Sequence, residues 1–120
     1  MKAYKLTSTE TKFAELIWAN APIGSMELVK LCEKEMGWKK STTFTVLKTL
    51  CEKGIFKNEG AVVTAVITRE SFLAIQSRRY VEDIFGGSLP KFVTSFIGGD
   101  KLPAGQLEEL RRLIDEHEED

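Results

Sequence analysis

Ser41, Thr42, Thr45 and Thr49, interleaved with Lys39, Lys40 and Lys48, are the residues of this chain whose types and spacing suggest chemistry. At 100° per residue, a helix through this segment turns Ser41, Thr42, Thr45, Lys48, Thr49 and Glu52 to one side. Thr43, Val46, Leu47 and Leu50 fall on the other. Hydroxyls and ammonium groups without a neighbouring base perform no nucleophilic chemistry, but they can hydrogen-bond and neutralise charge. Threonine is only a middling helix former, so helix stability does not explain four hydroxyls on an exposed face. Ser41 could serve as a helix cap; Thr45 and Thr49 lie too far along. Small donors carrying methyl groups suit base edges or phosphates in a major groove. Phe44, on the flank, could complete a core or meet thymine methyls. Lys39 and Lys40 stand at the helix entrance, where cations meet phosphate, or are simply solvated turn residues.

Such a helix needs a scaffold, and the flanking sequence supplies one. Thr7-Ser8-Thr9-Glu10 has the pattern of a capping box, and Phe13, Leu16 and Ile17 follow at helical spacing, predicting a helix over 8–20. Pro22 and Gly24 end it. Ser25 is expected to cap a second helix, with Leu28, Leu31 and Cys32 buried and Gly37 as its stop. Trp38 reads as a core anchor under the turn, and the third helix runs over about 41–53 to Gly54. Ile55–Asn58 and Val62–Ile67 are strand-like runs around Asn58-Glu59-Gly60-Ala61, the expected hairpin and its tip. This is the order of a winged helix-turn-helix, assigned to residues 1–68. Its wing offers only Lys57 and Asn58 to a polyanion, so a weak wing contribution is expected.

Beyond Thr68 three further helical stripes are predicted. Phe72, Leu73, Tyr80, Val81, Ile84 and Phe85 mark the first. After Gly86-Gly87-Ser88 come Leu89, Phe92, Val93, Phe96 and Ile97; after Gly98-Gly99 come Leu107, Leu110, Leu113 and Ile114. Some fifty residues in three short helices make a poor independent core. Two interleaved copies would solve the problem, so residues 69–120 are expected to be a dimerisation region. The fold class is mainly α with a small β-hairpin.

Composition excludes several function classes. The formal net charge is −1 and the pI about 5.9. The distribution is uneven: residues 1–60 carry ten lysines against seven glutamates, while residues 61–120 carry seven basic and eleven acidic groups. A basic front and an acidic back fit DNA on one side. Cys32 and Cys51 lack metal-ligand spacing and read as reduced, packed thiols, and His117 lies far from both, so no metal or other cofactor is expected. No paired nucleophile and base or phosphate loop suggests an enzyme. No apolar run reaches the roughly 20 residues needed to cross a bilayer, and Met1–Thr7 has no signal-peptide core, so a cytoplasmic protein is expected. Residues 1–60 contain no arginine, which removes from this segment the commonest specific contact to guanine. Discrimination would rest on Ser and Thr side chains, Phe44, Lys48, thymine methyls and duplex shape.

The segments Leu6-Thr7…Glu10…Ile17-Trp18 and Trp38-Lys-Lys-Ser-Thr-Thr-Phe-Thr-Val-Leu-Lys-Thr-Leu-Cys-Glu-Lys-Gly54 resemble the penicillinase and methicillin-resistance repressor family. The likeness extends through Gly86-Gly87-Ser88 to Leu107-Glu-Glu-Leu-Arg-Arg-Leu-Ile114. It implies a homodimeric winged-helix repressor of transcription on dyad operator DNA. In the β-lactam-responsive members of that family, induction comes by proteolysis within the dimerisation region, triggered by a membrane sensor protease, which destroys the dimer. Three positions depart from the family pattern. Thr49 stands where many relatives have Arg, the wing lacks the family's Tyr and basic residues, and Ser95-Phe96 occupies the place of a cleaved Asn-Phe bond. Residues 101–120 lack the cysteines of the copper-responsive branch. Two other readings fit the residues: a winged-helix protein adaptor, favoured by the acidic pI, and a small-molecule-responsive regulator with a pocket at Trp18, Trp38 or the C-terminal apolar surface.

Overall fold

The computed structural model describes residues 4–118; residues 1–3 and 119–120, which enter the charge balance above, lie outside them. Helix α1 (Ser8–Asn20) starts where the capping box places it. Thr7 Oγ1 accepts from the Glu10 N–H at 3.0 Å, and the Glu10 carboxylate accepts from the Thr7 N–H at 2.8 Å. Lys53 Nζ reaches the same carboxylate at 3.1 Å. The Thr7 N–H first, and Lys53 next, hold the Glu10 carboxyl below its ordinary range.

A two-residue strand β1 (Ile23–Gly24) leads into α2 (Ser25–Met36). Ser25 is not the cap of this helix. Gly24 occupies that position without a side-chain bond, and Ser25 is buried with its N–H donating to the Ala61 carbonyl at 2.9 Å. Gly37 closes α2 in the left-handed conformation, φ 67°, a backbone state that glycine enters without steric cost. Helix α3 (Lys40–Glu52) follows, then strands β2 (Phe56–Glu59) and β3 (Val62–Ala65).

The three strands form an antiparallel sheet in the order β1-β3-β2, with Ile23 opposite Val63 and Asn58 opposite Val63 on the other side. The hairpin is tighter than its sequence suggests. Asn58 and Glu59 are strand residues, and the turn is Gly60-Ala61 alone, both at positive φ (58° and 60°). Two consecutive positive φ values are those of the two-residue turn whose twist matches a hairpin. Ala61 pays a steric penalty there that glycine would avoid. Ala61→Gly should therefore stabilise the chain by about 0.5–1 kcal/mol, net of the extra unfolded-state entropy of glycine. Thermal unfolding should show a midpoint raised by a few degrees; a lowered midpoint would mean the Ala61 side chain contributes packing that its exposure does not indicate.

Helices α4 (Arg69–Phe85), α5 (Leu89–Ile97) and α6 (Ala104–Glu118) complete the chain. Ser88 caps α5 by accepting from the Lys91 N–H at 3.2 Å. Two compact units are present, Met1–Arg79 and Tyr80–Asp120. The first has a closed core: Phe13, Ile17, Leu28, Cys32, Leu50, Ile55 and Val63 are fully buried. Trp18 stacks at 5.3 Å on Phe56 and at 5.1 Å on Phe72, and its indole N–H donates to the Ile67 carbonyl at 3.1 Å. This unit runs past the wing because the start of α4 is held to it. Phe72 enters the core, and the Gln76 amide accepts from the Tyr4 N–H at 2.9 Å while donating to the Tyr4 carbonyl at 2.8 Å. Both cysteines are free, and burial pushes both thiols up from their ordinary range. Among the described residues no helix is long and apolar enough to cross a membrane.

Candidate nucleic-acid interface

Helix α3 is seated by its apolar side. Thr43, Leu47 and Leu50 are buried, and Phe44 and Val46 are half-buried against the same core. Trp38 fixes the turn that precedes it: its N–H donates to the Cys32 carbonyl at 3.3 Å and its ring lies 5.2 Å from Phe13. With that side fixed, helical geometry leaves Lys39, Lys40, Ser41, Thr42, Thr45 and Lys48 exposed, while Thr49 is half-buried. The expected face is therefore assembled on one helix, next to a two-stranded wing.

Two details differ from the sequence expectation. Ser41 is not the N-cap: α3 begins at Lys40, Lys39 is the cap residue, and no side chain bonds the first-turn N–H groups. Those donors point out of the helix start between two lysines, a setting that favours a phosphate oxygen. The threonines also differ from the free donors expected. Thr45 Oγ1 donates to the Ser41 carbonyl at 2.8 Å, and Thr49 Oγ1 to the Thr45 carbonyl at 3.2 Å. Both hydroxyl protons are thus committed to the preceding turn. The habit of helical Ser and Thr to bond back to residue i−4 is the signal that sequence reasoning passed over. Phe44 takes the core side of its two readings.

On the wing, Lys57 and Asn58 are exposed on β2. Lys57 Nζ lies 4.0 Å from the Glu59 carboxylate, an exposed and loose ion pair that offsets part of its charge.

Considered by itself, the second unit has a different character. No described residue from Tyr80 to His117 is buried. Tyr80, Phe85, Phe92 and Phe96 form a chain of ring contacts 5.5–6.1 Å apart. Ile84, Leu89, Leu113 and Ile114 are all more than half exposed, and Phe96 is 71% exposed. An apolar groove of about 330 Å³ runs between α5 and α6, lined by Phe92, Val93, Phe96, Ile97, Leu110 and Leu113. Val81, Phe85 and Leu107 lie half-buried or only just exposed on the same three helices. Phe72 leaves this set: at 5% exposure, with Trp18 and Tyr4 against its ring, it has no face to offer a second copy. The Ser95–Phe96 bond lies in the last turn of α5, which ends at Ile97.

The profile of the penicillinase repressor family matches residues 6–116, almost the whole chain. The chain belongs to this family. Among its curated relatives, the penicillinase repressor of Bacillus licheniformis is 26% identical over 120 residues, covering 97% of this chain and 94% of the relative. The methicillin resistance regulatory protein MecI of Mammaliicoccus sciuri is 20% identical over 117 residues, covering 94% and 95%. Both alignments extend across the two units, so the α4–α6 region is part of what is shared with these regulators.

Proposed function

We propose that this chain is a homodimeric repressor of transcription that reads a dyad operator, placing one α3 in the major groove at each half-site. The observation that carries the reading is the exposed side of α3. Lysines and small side chains project from a helix whose other side is buried, within a family named for repressors. Lys39 and Lys40 take phosphates at the groove edge, Lys48 adds a third cation, and the wing contributes Lys57 and Asn58. Dimerisation is supported by the second unit, whose apolar side chains find no interior of their own. Exposed apolar area on that scale marks an association surface. Two-fold pairing would set the half-sites about 34–36 Å apart, or a multiple of that, on one side of the duplex.

The direct experiment is a gel shift with the promoter region upstream of the protein's own coding sequence, in the presence of unrelated competitor DNA. A discrete complex that survives a competitor excess of about 10³, the lower end of the usual specificity ratio, is expected. Equal competition by unrelated and promoter DNA would refute the operator reading.

A further inference from the structure

Resting on the DNA-binding reading, we infer that Thr45 reads its base pair through its methyl group, on a thymine C5-methyl, and not by hydrogen-bond donation. The threonine β-carbon carries a hydroxyl, a methyl and a hydrogen, and in a helix its side chain has only two comfortable orientations. At Thr45 the hydroxyl is turned onto the Ser41 carbonyl at 2.8 Å. The residue is exposed, so the methyl is the side-chain group left for contact once the hydroxyl proton is used. Thr49 repeats the arrangement one turn later, bonding to the Thr45 carbonyl at 3.2 Å. The stripe 41-45-49 is therefore closed to donation at its two threonines.

That distinction selects among base pairs. Guanine offers O6 and N7 acceptors to the major groove, and a hydroxyl whose proton is already used cannot satisfy them. With no arginine in residues 1–60, neither the stripe nor its neighbours carries the fork that reads guanine. Thymine presents a methyl group in the same groove, and apolar contact with it is a recognised use of a threonine methyl. Thr42 and Ser41, whose side chains have no hydrogen-bond partner among the described residues, carry the hydroxyls on this side of α3 still able to donate, beside the Lys48 ammonium.

The test uses the full chain and a duplex selected by the wild-type protein from a randomised pool. In that duplex each thymine is replaced in turn by deoxyuridine, which lacks only the methyl. One position per half-site should lose about fourfold in affinity, the worth of one buried methyl. Thr45→Ser, which keeps the hydroxyl and removes the methyl from both copies, should lose about sixteenfold on the thymine duplex, about fourfold per half-site. It should show no further loss on the deoxyuridine duplex. Thr45→Val, which keeps a methyl and discards the hydroxyl, should bind within about twofold of wild type. Loss of binding by Thr45→Val, or additive losses for Thr45→Ser and deoxyuridine, would overturn the assignment while leaving DNA binding intact. If the wild-type protein selects no duplex, the DNA-binding reading itself fails, and the assignment with it.

Discussion

Phe96→Asp is expected to leave the chain folded but monomeric, and to lower its affinity for a dyad operator by about 10²–10⁴. That range is the advantage two linked binding modules hold over one alone. Phe96 is 71% exposed and meets one other ring, Phe92, at 6.0 Å. Little of the second unit's own packing therefore depends on it. In a two-fold dimer each copy would bury one Phe96 against the other. At roughly 1.5–3 kcal/mol per fully buried ring, removing both weakens association by about 3–6 kcal/mol, or about 10²–10⁴ in dissociation constant. The introduced carboxylate adds a desolvation cost that a simple truncation would not. Analytical ultracentrifugation should show the monomer at concentrations where wild type is a dimer, with unchanged helical circular dichroism. Phe92→Ala combined with Phe96→Ala should give the same result through lost area alone. A Phe96→Asp chain that still sediments as a dimer would move the interface elsewhere, and one that loses its helical signal would be judged by the alanine pair.

The boundaries of these elements were legible because the signals that set them are local. Thr7 and Glu10 cap one helix, while Gly37, Gly86-Gly87 and Gly98 interrupt the chain at positive φ. Periodicity did the rest: the buried side of α3 is the one that the spacing of Thr43, Leu47 and Leu50 implies. What escaped was decided at a distance. Strand β1 is two residues long, and its pairing of Ile23 with Val63 leaves no pattern in its own sequence. The turn of the wing places Ala61 at a φ that alanine seldom adopts, so residue preference pointed to a longer tip. Phe72 and Tyr80 looked alike on one helical stripe. Trp18 and Tyr4 draw the first into the core, while the second stays exposed. The orientation of the Thr45 hydroxyl is a choice between two rotamers, which spacing cannot decide.

Raising salt from 50 to 200 mM should weaken operator binding by about 10³–10⁵. The acidic pI of 5.9 describes the whole chain, but binding responds to the charges that meet phosphate. Lys39, Lys40, Lys48 and Lys57 are exposed on α3, at its entrance and on the wing. Two copies bring about eight such cations to one duplex, for a log–log slope of about −7 and a loss of about 10⁴ over this fourfold range. Lys57 is the weakest of the four, since Glu59 stands 4.0 Å away. Lys40→Ala should make the slope shallower by about two, one phosphate per copy, with similar losses on operator and unrelated DNA. Lys57→Ala should change it less. An adaptor that has lost DNA would show a flat response and no effect of Lys40. The size of the slope thus separates a repressor from its closest structural rival, and the difference between Lys40 and Lys57 tests whether α3 or the wing carries the contact.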